Sequence, residues 1–315
     1  MKKIILDCDP GMDDSMAIVM AAKCPDVELL AITTVNGNYP VEVTSMNALK
    51  VLELLGRTDI PVARGMSLPM VRECPSDPFT HGEDGQAGAN LPQPQTPLCG
   101  LHAVNLIIDR AKKYPGEVTI VATGPLSNVA MALRMAPEIG PMIKEIIAIS
   151  GAFGLNRYAF LNATGDTPQS EWNVYVDPEA SRLVYGSGVP FTAIGLDVAT
   201  YFDVDFSDAD IAELDASKNR EAWFLSNAIQ FVRGRGYDAY CTCIDCMAVA
   251  YAIDPTLVRT EKALVGVETK DGLTLGMTVR DGRHHHIWKD LPEISIAVGA
   301  DYGRFLMLLK KLVLA

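Results

Sequence analysis

Short apolar runs alternate with stretches of helical spacing along most of the chain, and this alternation constrains the fold more than any other feature. Residues 3–8 (KIILDC), 27–35 (VELLAITTV), 118–122, 145–149 and 190–196 suit strands buried on both faces. Helical spacing recurs between them at 13–23, 44–55, 101–113, near 127–135 and at 178–185, and again at 220–233. The 44–55 helix is expected to start at a Thr or Ser. Alternation of this kind demands right-handed crossovers between parallel strands, so the expected class is α/β: a mainly parallel central sheet flanked by helices. Only 263–269 and 273–280, on either side of Asp271-Gly272, read as an antiparallel hairpin.

A length of 315 residues fits two domains or one large α/β domain. With no internal repeat, low-complexity tract or linker, the expectation is one domain, 1–315, with loop insertions near 72–100 and 154–171. The first insertion is rich in Pro and Gly and long for a structureless connection, which marks it as a lid. Hydrophobic residues make up 49% and charged residues 21%, which are globular values, and no apolar run approaches the ~18 residues of a membrane span. The 39 acidic against 27 basic residues give a net charge of −12, which argues against nucleic acid and anionic membranes as partners. Seven cysteines in apolar surroundings, and a start that lacks the apolar core of a signal peptide, point to reduced thiols in the cytoplasm.

The segment ILDCDPGMDD crowds Asp7, Asp9, Asp13 and Asp14 into eight positions where a strand turns through Pro10-Gly11 into a helix. Ligands of open parallel sheets sit beyond such strand ends. A helix N-terminus favours each nearby carboxylate by only ~0.3–1 kcal/mol, too little to assemble four of them. Packed carboxylates take up protons unless a cation holds them ionised, and a hard divalent ion such as Ca²⁺, with ~6–8 oxygen ligands, meets that need. The plainer reading is helix capping with a solvated acidic turn. Four carboxylates at one strand end favour the site.

The motif Asp7-x-Asp9-Pro10-Gly11-x-Asp13-Asp14 resembles the N-terminal hallmark of the inosine–uridine-preferring nucleoside hydrolases. Further pieces follow in the family's order: ITTVNGN (32–38), HGEDG (81–85), ATGPLSN (122–128), SEWNVYVDPEA (170–180) and IDCMAVAYAIDP (244–255). The resemblance implies a Rossmann-like nucleoside hydrolase fold, a homo-oligomer (dimer or tetramer), and Ca²⁺-dependent hydrolysis of ribonucleosides to ribose and free base. It implies that side chains matching Asp9, Asp14 and Asp245, with the main-chain carbonyl of Thr123, hold Ca²⁺. Asp9 is then also the base that takes a proton from the attacking water. Asp13, Asn38, Glu171 and Asn173 match sugar-binding residues. Glu171 stands between a polar loop and an apolar strand, and His81 belongs to a loop that closes over substrate.

The chain departs from the family pattern at two places. Many members have a proton-donating His before the Asp that matches Asp245; here Ile244 donates nothing, so His81, Tyr237 and Tyr240 become the candidate donors to the leaving base. GDTPQSE (165–171) is one residue shorter than the family segment and puts Asp166 near an expected Asn. Cys241, Cys243 and Cys246 lack a clear fourth metal ligand and read as thiols lining a pocket wall. His284-His285-His286 reads as an exposed hairpin edge rather than a zinc site. Two other classes compete: a haloacid-dehalogenase-like Asp-dependent phosphohydrolase, which leaves the Asp13-Asp14 pair unexplained, and a non-catalytic nucleoside- or sugar-binding protein, which has no need of the acidic quartet.

Overall fold

The first strand, β1 (Lys2–Cys8), is buried from Ile4 onward, as continuous apolar character requires when helices cover both faces of a sheet. It is followed by α1 (Met12–Lys23), β2 (Val27–Thr34), α2 (Val41–Leu54) and β3 (Val62–Arg64). A long connection leads to α3 (Ala103–Lys113), β4 (Val118–Ala122), α4 (Ser127–Met135) and β5 (Ile143–Ile149). The short helices α5 (Tyr158–Leu161), α6 (Trp172–Val176) and α7 (Pro178–Tyr185) precede β6 (Phe191–Ile194) and α8 (Leu196–Ala199). The chain then forms α9 (Asp208–Ala216), α10 (Arg220–Arg233), α11 (Cys246–Ile253), β7 (Val258–Val267), β8 (Thr278–Asp281), β9 (Glu293–Ala300) and α12 (Tyr302–Leu314). The computed structural model describes all residues except 76 and 78. Those two positions fall within the 72–100 insertion read from the sequence, and that part of the expectation lies outside the described residues.

Among the described residues, nine strands form one sheet in the order β3-β2-β1-β4-β5-β6-β9-β7-β8. Only β7 runs against its neighbours β9 and β8; the other pairs are parallel. On one face α1, α2, α10, α11 and α12 bury Met16, Leu49, Phe224, Met247 and Phe305; on the other α3, α4 and α7 bury Ile107, Val129 and Val184. From β1 the chain winds outward to β2 and β3, then resumes at β4 on the other side of β1. The order therefore reverses between β1 and β4, and open α/β sheets have their crevice beyond the carboxyl ends of such a pair. Asp9 and Thr123 are the residues that leave those two strand ends.

One buried amide ties this switch point together. Asn128 Nδ2 donates to Asp7 Oδ1 (2.8 Å) and to the Thr34 carbonyl (3.0 Å), while its Oδ1 accepts from the Met66 N–H (2.8 Å). It thereby joins β1, β2 and the segment after β3 to the start of α4.

Three local expectations need correction. Helix α2 starts at Val41 behind Pro40, not at Thr44 or Ser45; both hydroxyls instead bond back to the Val41 carbonyl from within the helix (3.2 and 2.5 Å). The C-terminal hairpin exists, but its register closes at Val267–Thr278, so Asp271-Gly272 lies within a longer connection rather than forming a tight turn. That connection is held by tertiary contacts: Arg72 binds Asp271 (2.9 Å) and the Thr269 carbonyl (3.0 Å), and Thr167 donates to the Leu275 carbonyl (2.6 Å). Glu171 does not lead into a strand; it caps α6.

Asn128→Ala should destabilise the protein by about 2–4 kcal/mol in urea unfolding, because it leaves several buried polar groups without partners.

Candidate active site

The turn after β1 is shaped around the Asp9 carboxylate. Asp9 Oδ2 accepts the Asn38 N–H (2.6 Å), and Oδ1 is buried with no partner. A Cβ on Gly37 would collide with Oδ2, and one on Gly124 would stand 2.7 Å from Oδ1. The Asn-Gly-Asn and Thr-Gly-Pro turns thus need glycine to let backbone pass on either side of this carboxylate. Gly11 is bare for a related reason: a Cβ there would lie 2.6 Å from His81 Nδ1.

Asp14 organises the same turn. Its Oδ1 accepts from Thr123 Oγ1 (2.7 Å) and the Asp9 N–H (3.3 Å), and its Oδ2 from the Gly11 N–H (3.1 Å) and Asn38 Nδ2 (3.3 Å). Asp13 follows in the first turn of α1, with Oδ1 buried and unbonded, and Asp245 enters from the N-terminus of α11. Burial, reinforced by the charge of Asp14, pushes Asp9 well above the usual carboxylate range; burial and the charges of Asp13, Asp14 and Asp9 do the same to Asp245. Burial also raises Asp13 and Asp14.

One oxygen each from Asp13, Asp14 and Asp245 approach within 4.8 Å of one another, and an all-oxygen set with orphaned acceptors suits a hard divalent cation. The cluster can therefore hold a metal. Asp9, expected among the metal-holding side chains, stands beside this trio rather than within it, fixed by Asn38 and the two glycines.

A cleft of ≈ 490 Å³ opens over the cluster. Asp13, Asn38, Thr123, Glu171, Asn173 and Asp245 line it, so the structure brings together most of the residues singled out from sequence. Asn173 Nδ2 donates to the Thr123 carbonyl (2.7 Å). Glu171 accepts three backbone N–H groups, from Asn173 (2.7 Å), Val174 and Gly151 (both 3.1 Å), yet burial still pushes it up to about 7. Apolar and aromatic side chains, among them Phe79, Val232, Tyr237, Tyr240, Cys241 and Ile244, also line the cleft. His81 lines the cleft with Nδ1 accepting the Met12 N–H (3.3 Å) and lying 3.6 Å from Asp13 Oδ1; burial lowers its pKa.

Asp166 is not brought to the cleft. It is exposed beside Tyr175, and Asn162 and Thr164 supply the polar lining from that loop. Asn162, with Nδ2 on the Thr200 carbonyl (3.1 Å), escaped sequence reasoning because the shortened GDTPQSE segment drew attention to the wrong polar residue. Arg235 was also missed: it lies in a Gly-rich turn after α10 that carries no motif. Of the three thiols expected along the pocket wall, only Cys241 lines it; Cys243 and Cys246 are buried in the hydrophobic core instead, while the three consecutive histidines are exposed.

The profile of the inosine-uridine preferring nucleoside hydrolase family matches residues 4–307. The chain belongs to this family. It is 37% identical over 310 residues to an inosine-uridine preferring nucleoside hydrolase of Leishmania major, covering 96% of this chain and 95% of the relative. It is 36% identical over 311 residues to a pyrimidine-specific ribonucleoside hydrolase of Escherichia coli, covering 97% and 96%. The solved purine-preferring ribonucleoside hydrolase of Gardnerella vaginalis superposes with a TM-score of 0.84 at 31% identity, covering 99% of this chain and 98% of that one. The protein is thus an N-glycosidase of the nucleoside hydrolase type, which decides against the phosphohydrolase and the non-catalytic readings. No helix among the described residues is long and apolar enough to cross a membrane.

The raised carboxyl groups give a sign to the stability of the metal-free enzyme. Asp9, Asp245, Asp7 and Glu171 hold protons in the folded chain that the unfolded chain releases, so their contribution is full at low pH and is lost as pH rises through about 7, the value for Asp7 and Glu171. In chelator the melting temperature should fall between about pH 5 and about pH 8, and added Ca²⁺ should recover most of the loss at the higher pH.

Proposed function

We propose that this nucleoside hydrolase cleaves the N-glycosidic bond of ribonucleosides in a Ca²⁺-dependent reaction that releases ribose and the free base. The observation that carries this reading is the buried carboxylate cluster at the β1–β4 switch point, under a cleft lined by both polar and apolar side chains. Asp14 and Asp245, with the Thr123 carbonyl and Asp9 or Asp13 beside them, would hold the ion. When bound, such a cation acidifies water and orients sugar hydroxyls.

The chain's own residues supply the remaining steps. Asp9, whose free Oδ1 has no protein donor, accepts the proton of the attacking water. The water oxygen bonds to the anomeric carbon, while the base leaves with the electron pair of the glycosidic bond through an oxocarbenium-like state. Asp13, Asn38, Glu171, Asn173 and Asn162 bind the sugar, and their burial makes a missing hydroxyl costly. The base lies among Phe79, Tyr237, Tyr240, Val232 and Ile244. Because Ile244 has no proton to give, His81 takes the donor role: with Nδ1 engaged by Met12, its Nε2–H hydrogen-bonds the departing base and stabilises the negative charge that develops there, keeping its own proton. Tyr240 is the weaker candidate, since its ring stacks on Phe202 at 4.8 Å and burial raises its hydroxyl to about 12.

We also infer that residues 1–315 act as one unit in which 72–100 and 154–171 cover the cleft, both contributing lining residues. The homo-oligomer, dimer or tetramer, rests on the family resemblance. The seven free cysteines support a cytoplasmic, reducing setting.

Ribose release from a nucleoside panel, followed as reducing sugar, tests the reading. Asp9→Asn should retain the fold and lose at least ~10³-fold in kcat, since it removes a charge and the base together. Asn162→Ala should raise KM about tenfold with little change in kcat, whereas Asp166→Ala should leave both near wild type.

A further inference from the structure

Arg235 has no place in the chemistry above, yet it makes an unusual set of contacts. Its guanidinium donates through Nη1 to the Phe79 carbonyl and lies between two rings, 4.6 Å from the centroid of Phe79 and 4.1 Å from that of Phe231. Phe231 also presses on the loop: its Cζ is 3.2 Å from where a Gly82 Cβ would stand. On the far side Tyr39 donates through its hydroxyl to the Gly82 carbonyl, with its ring edge-on to His81 at 6.5 Å. The residues on either side of His81 are therefore gripped from outside, Phe79 by Arg235 and Gly82 by Phe231 and Tyr39. The imidazole itself rests on the first turn of α1, over Gly11 and against the Met12 N–H.

We infer that Arg235 is a positioning residue that latches the Phe79–Gly82 segment to the end of α10 and so fixes where His81 presents its Nε2–H to the leaving base. This rests on the nucleoside hydrolase reading and on His81 as donor. The physical argument is one of anchorage. Phe79 is 63% exposed, so the loop has little apolar burial of its own to hold it down at that point. A guanidinium can satisfy a carbonyl and stack on two aromatic faces at once, which an ammonium matches poorly. A hydrogen-bond donor displaced by about 1 Å from the leaving group can cost on the order of 10²-fold in rate, so a remote latch is kinetically visible. Arg235 is the only Arg or Lys among the described residues that line the cleft, so the competing role is direct contact with the base.

A double-mutant cycle separates the two roles. Arg235→Met keeps the apolar stem and removes the guanidinium at an exposed position; Arg235→Lys keeps the charge. For a nucleoside that the wild type cleaves, Arg235→Met should lower kcat about 10- to 100-fold with a smaller change in KM, and Arg235→Lys should recover only part of it. In a His81→Ala background the same substitution should cost almost nothing, because both changes remove one function. A nitrophenyl riboside, whose leaving group needs no proton, should lose little in Arg235→Met. Equal losses with and without His81, or equal losses on both substrates, would overturn the inference and assign Arg235 to base contact or to general structure. A wild type that releases no ribose from any nucleoside defeats the underlying reading instead, and this inference falls with it.

Discussion

Carboxylates that share a buried space repel one another, and the architecture around β1 is arranged about that repulsion. Asp9, Asp13 and Asp14 come from one turn and Asp245 from the far end of the chain, yet none is more than 8% exposed. Hydrogen bonds satisfy only part of the set: Asp14 is fully engaged, whereas Asp9 and Asp13 each keep a buried oxygen with no donor. Such an arrangement is costly in isolation, and its cost is what makes it receptive to a cation. The sheet order dictates where this happens, since β1 and β4 diverge in connectivity at the point where Asp9 and Thr123 emerge.

From that constraint the surrounding sequence acquires its meaning. Gly37 and Gly124 are bare because the Asp9 carboxylate occupies the space a side chain would need, and Gly11 because the His81 ring does. Asn38 serves twice, through its backbone N–H to Asp9 and through its amide to Asp14. Asn173 braces the Thr123 carbonyl and Glu171 caps its own helix, so the polar wall of the cleft is built from groups that also hold the turns in place. Such preorganisation lets a site discriminate among sugars without paying for rearrangement at each turnover.

The sequence carried the parts of this design that obey local rules. The parallel α/β core was legible because strands buried on both faces read as continuous apolar runs, and the switch-point turn because of its acidic crowding, although Asp7 proves to be a structural member, bonded to Thr33 and Asn128 and outside the cluster. Elements that depend on distant partners were not legible. The three residues of β3 are too few to show periodicity, and β9 and α12 were not anticipated although β9 pairs with β6 and β7. The turn at Asp271-Gly272 looked tight, but Arg72 and Thr167, roughly a hundred or more residues away, hold that segment open. At the site, motif and resemblance singled out Asp13, Asp14 and Asp245, which the structure brings together in one cluster, while Asn162 and Arg235 went unnoticed because loop residues reveal themselves only through what they face. The place of Ile244 in the cleft wall was foreseen, and the structure adds that His81 lines the same cleft with its Nδ1 engaged by the Met12 N–H.

Calorimetric titration of Ca²⁺ into the metal-free protein, repeated in two buffers of different ionisation enthalpy near pH 6.5, tests the central claim most directly, because it counts ions and displaced protons together. The account predicts about one ion per chain with net proton release, and loss of that binding in Asp14→Asn and Asp245→Asn proteins that still fold. Absence of saturable binding, or binding that displaces no protons and survives both substitutions, would contradict it.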